Sequence, residues 1–261
     1  KSILNGYKAV LAFSFCALIF FISFLFPVLQ MLYWTIIFPK HLADLNLIEL
    51  FFNTTILVFL SSIVLISFAF ISNYGNRLSK SKFLEILTTF SISGYAMPGI
   101  ILAVAFITFI SWFDNNIVAY FKLATIKSIF IGSIIGLVVV YFIRFYSLAS
   151  NGIKSGYLKI SYSIDESAYL LGYSKFKTFK DIHIPYLKNS ILLIGILIAI
   201  EIIKELPITL IMRPFNFETF ATQAYIYASQ DLLEAAAAPS LFLILIASFF
   251  ILITSRYILK D

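Results

Sequence analysis

The chain has 261 residues, of which 61% are hydrophobic, 18% aromatic and only 12% charged, with a mean hydropathy of +0.98. This composition lies far outside the soluble range, and the surplus of apolar surface calls for lipid rather than a larger core. The net charge of +6 does not argue for a nucleic-acid partner, because the basic residues sit beside apolar segments, where they report topology.

A spanning helix needs about 20 apolar residues, and uncharged intervals of more than that length can be read off in order. The first runs from Lys8 to Lys40. It is longer than the apolar part of a cleaved signal and lacks a small-residue cleavage site, so it reads as a span. A chain that opens on Lys1 is expected to have residues upstream. The one cysteine, Cys16, excludes an internal disulfide and reads as a small buried hydrophobe. The second interval runs from Glu49 to Arg77. Its Asn53-Thr54-Thr55 matches a glycosylation sequon, but at a helix start capping is the preferred reading. The third, Glu85 to Asp114, is interrupted by Met97-Pro98-Gly99, as Pro27 interrupts the first. Proline inside a span frees backbone groups that neighbouring helices or a watery cavity must satisfy. The fourth, Ile129 to Ala149, carries only Arg144, near one end where a long side chain can snorkel. Its Gly132-x-x-x-Gly136 suits close helix contact.

The polar interval 157–187 reads as two short helices. Ser163 and Glu166 fit a capping box, with Ser163 at the N-cap. Ile160, Ile164, Ala168 and Leu171 form a narrow apolar stripe. Gly172 suits the left-handed residue after a helix end. Ser174 caps a lysine-rich second helix, and Pro185 marks the start of the next span.

That span, Asn189 to Met212, holds Glu201, Lys204 and Glu205, and Leu206-Pro207 ends it. Glu201 and Glu205 are four apart and so share a helix face, roughly 18 to 24 Å into the membrane at 1.5 Å per residue. Ionisable groups at that depth face a bundle interior or a water path. Glu201, Glu205 and Pro98 are therefore candidates for a substrate path, with oxygen ligands that suit a hard cation. The alternative is a structural ion pair of Glu201 with Lys204. The sixth span runs from Glu234 to Arg256.

Lys and Arg in the short connections set the orientation. Arg77, Lys80 and Lys82 crowd 73–85, and seven basic residues lie in 144–188. The 35–49 connection has only Lys40, and 213–238 only Arg213. With Lys1, Lys8, Arg256 and Lys260 at the ends, both termini and the 157–187 loop are expected in the cytoplasm.

Glu166, Ser167, Ala168, Gly172, Ile182, Ile184 and Pro185 follow the spacing E-A-A-x3-G-x9-I-x-L-P, with Ser167 for Ala and Ile184 for Leu. This resembles the cytoplasmic coupling loop of binding-protein-dependent ABC importer permeases. In that family the loop's short helix docks in a cleft of the ATP-binding subunit and passes on its closing motion. The resemblance implies that Glu166 and Gly172 serve docking, that Ala168 permits close approach, and that Ser167, Ile182 and Pro185 complete the coupling set. Lys204-Glu205-Leu206-Pro207-Ile208-Thr209-Leu210-Ile211-Met212-Arg213-Pro214-Phe215-Asn216-Phe217-Glu218-Thr219-Phe220-Ala221 is similar to a segment of ferric iron importer permeases. Gly94-Tyr95-Ala96-Met97-Pro98-Gly99 and Tyr141-Phe142-Ile143-Arg144-Phe145 also look like that family, whose members usually fuse two six-helix halves; the likeness is to the C-terminal half.

The resemblance implies an all-α integral membrane protein of the type I ABC importer permease fold, with six transmembrane helices and a cytoplasmic two-helix coupling loop. Residues 1–46 would form an additional N-terminal helix and 47–258 the core. The expected partners are a dimer of ATP-binding cassette subunits, a second permease half, a periplasmic substrate-binding protein and lipid, in a bacterial inner membrane. ATP and Mg2+ would bind on the partner subunit and no cofactor on this chain. Thiamine, polyamine or an oxyanion are alternative cargoes, and an ATPase-independent secondary transporter is the alternative class. The chain lacks G-x4-G-K-[ST]. His41 and His183 are expected on opposite sides of the membrane and far from Cys16, so neither a zinc site nor a Cys/His pair is supported.

Overall fold

A computed structural model describes residues 6–79, 81–113, 115–116 and 130–258. Lys1, Lys80, Asp114, Ile129 and Lys260, span limits or topology charges in the sequence, lie outside the described residues. Every regular element among the described residues is helical. Five helices are long and apolar enough to span: Tyr7–Ile37, Leu47–Ser79, Ile134–Tyr157, Lys175–Ile203 and Leu233–Arg256.

The first comprises α1 (Tyr7–Phe20), a π turn (Phe21–Leu25) and α2 (Phe26–Ile37). Pro27 does not break it. A proline has no N–H to give and its ring crowds the carbonyl four residues back. The π turn takes up the misfit, and the Phe26 N–H bonds five residues back to Phe21 O. Cys16 is exposed on α1, not buried, because this span packs mainly on the last helix, and no residue of its most apolar stretch is buried. After α3 (Pro39–Ala43), α4 (Leu47–Ser79) runs for about 50 Å at 1.5 Å per residue, well beyond a hydrocarbon core of about 30 Å. Its polar end, from Asn73 to Ser79, reaches the 157–187 loop. At its start Asn46, not Asn53, sits at the cap and takes the Glu49 N–H at 3.3 Å. Asn53 instead donates across the fold to Glu218 O at 3.0 Å.

The third predicted span is a bent pair. α5 (Lys82–Ile92) and a 3-10 turn (Ser93–Ala96) meet α6 (Gly99–Phe113) at 116°. Pro98 holds Met97 extended (φ −80°, ψ 135°), which stops the helix. Gly94 lies so close to α7 (Ile134–Tyr157) that a Cβ there would sit 2.1 Å from Ile143 O.

The core lies where α4, α7 and α10 (Ile184–Ile203) meet, around Leu57, Leu65, Tyr141, Phe145, Ile153, Leu187 and Ile198. Its close seam is Gly152-x-x-x-Gly156. A Cβ at Gly152 would meet Ile194 Cγ1 at 2.5 Å, and one at Gly156 would meet Leu187 Cδ2 at 2.7 Å. The predicted pair, Gly132 and Gly136, does not join helices. Gly132 is in a left-handed turn (φ +65°), and Gly136 faces the nearby Phe130 carbonyl. Ser133 caps α7 by accepting the Gly136 N–H, so α7 starts later than predicted and Arg144 falls in its middle. It does not snorkel from an end.

Candidate functional site

The 157–187 loop folds as α8 (Tyr162–Leu170) and α9 (Lys175–Thr178). Ser161, not Ser163, is the N-cap: its Oγ accepts the Ser163 N–H at 3.3 Å. Glu166 is therefore two residues too far into α8 for the predicted capping box, and it is exposed. Gly172 ends α8 as its position suggested, with φ +82°. The Gly172 N–H bonds Tyr169 O and the Tyr173 N–H bonds Ala168 O, both at 3.0 Å, which completes a Schellman motif. Ser174 caps α9 by accepting the Lys177 N–H at 3.2 Å. α9 is not a separate short helix, since it runs through a second π turn (Phe179–His183) straight into α10. Pro185 thus lies inside one continuous helix rather than at its start, with the Ile184 N–H bonding back to Phe179 O.

Three side chains clasp this loop to the bundle. The buried Asp165 carboxylate of α8 accepts from Arg77 Nε of α4 at 2.6 Å through Oδ2, and from His183 Nε2 at 2.7 Å through Oδ1. Arg77 Nη2 donates to the carbonyls of Ile160 and Ser161 at 3.0 Å each, which fixes the start of α8. Its guanidinium lies 4.3 Å from the Tyr162 ring centroid and 5.5 Å from that of Tyr157. His183 is fully buried between the rings of Tyr74 and Tyr157, both edge-on at 5.2 and 5.4 Å. A buried charge is tolerated only when paired and hydrogen-bonded, and here one carboxylate answers a cation and an imidazole from two different helices.

The side of the loop away from the clasp is bare, with apolar residues at the end of α8, in the turn after it and on α9. Leu170 is 89% exposed, Leu171 79% and Phe176 73%. Exposed apolar residues grouped in this way are a surface of the kind that meets protein or lipid. Of the predicted coupling residues, Glu166, Ser167, Gly172 and Pro185 are exposed and Ile182 is half-buried. Ala168 is buried within the chain, so it belongs to the anchored face of α8, and Leu171 leaves the predicted stripe for the exposed face.

The predicted substrate-path residues do not form one face. α10 ends at Ile203, and Glu205 lies in the break before α11 (Pro207–Met212). Its carboxylate is 3.5 Å from Arg144 Nε, an ion pair rather than an aligned hydrogen bond, and accepts the Ile208 N–H at 3.3 Å. Arg144 Nη1 also donates to Met97 O at 2.8 Å, so one cluster ties both broken-helix points to α7. Glu201 pairs with the exposed Lys204 at 2.7 Å, as the structural alternative required. Pro98 is exposed at the α5–α6 bend. Among the described residues no three His, Cys, Asp or Glu side chains gather where a metal ion could be held.

The following segment turns at Arg213, which pairs with Glu218, and at Asn216 (φ +59°). Thr219 then caps α12 (Phe220–Ser229) through a box with Thr222. Phe215 at the tip is 99% exposed.

No protein-family model matches the chain. It is 20% identical over 256 residues to the Fe(3+)-transport system permease protein FbpB 2 of Haemophilus influenzae. The match covers 97% of the chain but only 48% of that relative, so the chain spans about half the relative's length. Two solved structures of bacterial alginate ABC transporters share its fold. One is an importer of the acidic polysaccharide alginate (TM-score 0.72, 16% identity, 95% of this chain and 94% of that one). The other is in complex with an alginate-bound periplasmic protein (TM-score 0.73, 15% identity, 95% and 93%). The fold is that of an ABC importer permease.

On this permease fold, α8 carries Glu166, Ser167 and Ala168 of the E-A-A-type spacing. The residues missed in sequence are those that hold it: Arg77, Asp165 and His183. Asp165 directly precedes the motif and His183 lies within it, so an acid and an imidazole 18 residues apart in one loop were the available signal.

Proposed function

We propose that the chain is a permease half of a binding-protein-dependent ABC importer, driven by ATP that a separate subunit hydrolyses. The observation that carries this reading is the bare Leu170–Leu171–Phe176 face on a loop whose other face is clasped to the bundle. A dimer of ATP-binding cassette subunits covers that face, with Glu166, Ser167 and Gly172 at its edge and Ile182 and Pro185 behind. ATP and Mg2+ bind on that partner. Residues 1–46 supply the additional span, 47–258 the core, and the loop and both termini face the cytoplasm of a bacterial inner membrane. A second permease half and a periplasmic binding protein complete the importer.

The cargo best supported is ferric iron. The Lys204–Ala221 stretch resembles ferric permeases, and the Haemophilus relative is a named iron-transport permease. Exposed Pro98 and half-buried Glu201 border the path, while Glu205 holds Arg144 and the start of α11 in place. Thiamine, polyamine or oxyanion cargo is the competing assignment. Uptake of radiolabelled ferric iron by cells carrying the whole transporter tests both layers. Leu170→Asp with Leu171→Asp is expected to abolish uptake, and Glu201→Gln to lower it. Wild-type cells that take up no ferric iron refute the cargo; full uptake by the double leucine variant refutes the coupling face.

A further inference from the structure

Within the coupling reading above, on which this inference rests, the loop must move the bundle when its partner closes. A helix of nine residues cannot do so unless it is fixed to what it moves. We propose that Arg77, Asp165 and His183 are positioning residues that join the coupling helix, the end of α4 and the head of α10 into one rigid body.

The geometry has the attributes of a joint. Asp165 is buried on the inner face of α8 and uses both carboxylate oxygens, one toward α4 and one toward the π turn that leads into α10. Arg77 adds two backbone bonds at the start of α8, so that end is held at three points. Tyr74 of α4 reaches the other side of the loop, where its OH donates to Lys175 O at 2.6 Å. The Tyr74 ring also packs on Phe179 of the π turn, with centroids 4.9 Å apart. No bond of the clasp points at the bare leucine face, so anchoring and docking use opposite sides of one loop. Because α10 continues without a break from α9, a displacement of the joint is delivered along the whole span.

Spin-label distances in the purified whole transporter test this, with Cys16→Ser as background and label pairs at Ser163/Ser79 and Ser163/Lys188. In the wild-type complex, trapping ATP on the partner subunit should leave both distances within the roughly 1–2 Å typical of local helix shifts. Asp165→Asn, which removes the charge and keeps the shape, should broaden both distributions and let them shift on trapping. His183→Leu, which keeps bulk but no donor, should do the same, whereas His183→Gln, which keeps a donor toward Asp165, should restore wild-type behaviour. The ATPase should still co-purify with every variant. Distances that change in the wild type, an Asp165→Asn variant that stays rigid, or equal behaviour of the Gln and Leu variants would each overturn the joint. Loss of the ATPase in Asp165→Asn alone would also overturn it, by assigning the residue to docking. A wild-type chain that brings down no ATPase instead refutes the coupling reading itself.

Discussion

Gly172 gives a prediction whose size follows from local geometry alone. Its φ is +82°, and a Cβ built there meets nothing within 4 Å. Substitution therefore causes no clash, and its cost is confined to the backbone. A residue with a Cβ loses roughly 1–2 kcal/mol in the left-handed region, and Asn loses less because it visits that region several-fold more often. The strain falls on the two bonds that close α8, from the amides at 172 and 173 to Tyr169 O and Ala168 O. A loss of one or two kcal/mol is a factor of about 5–30 in an opening equilibrium. Gly172→Ala should speed hydrogen exchange at those amides by that factor. Gly172→Asn should speed it much less, and the amides of α10 around Ile198 should stay unchanged. Exchange mass spectrometry on the purified chain in lipid nanodiscs reads all three. An alanine variant as protected as the wild type, or an asparagine variant as exposed as the alanine, would refute the conformational account of this glycine.

Two further outcomes concern the bundle. Glu205→Gln should destabilise the purified protein by roughly 1–3 kcal/mol, because it leaves the half-buried Arg144 guanidinium without its counter-charge, and adding Arg144→Met should recover much of it. A double variant no more stable in thermal unfolding than the single would contradict the pairing. Gly152→Ala and Gly156→Ala should each cost roughly 1–3 kcal/mol through overpacking against Ile194 and Leu187. Gly195→Ala, with Ile66 Cδ1 at an ordinary 3.7 Å, should be neutral or stabilising by up to about 1 kcal/mol of helix propensity. Equal losses at all three glycines would remove the α7–α10 seam.

Features set by local chemistry were legible in the sequence. Charge-free length identified the spans, Gly172 the left-handed stop of α8, and Ser174 the cap of α9. Register was harder. Ser161 and Ser163 both offer a cap two residues apart, and the choice between them is made by Arg77, which holds the Ile160 and Ser161 carbonyls from another helix. Arg144 looked like a snorkelling end residue because nothing local announces that Ser133 starts α7 so late. Glu205 looked like a member of the Glu201 face because Leu206-Pro207 was read as the stop, whereas α10 already ends at Ile203. The clasp itself spans 88 residues between Arg77 and Asp165, a separation at which single-sequence periodicity carries no signal. Proline was also a poorer breaker than expected, because at Pro27 and Pro185 a preceding π turn absorbs the lost bond.

The central claim is that the exposed face of α8 meets an ATP-binding subunit, and a cross-link is its most direct measurement. A photoactivatable maleimide on Leu171→Cys, in a Cys16→Ser background of the whole transporter, should join the chain to the ATP-binding subunit. The same probe on Phe215→Cys, also bare but beyond the other end of α10, should not. A cross-link from Leu171→Cys to lipid alone, or equal capture of the subunit from both positions, would contradict the account.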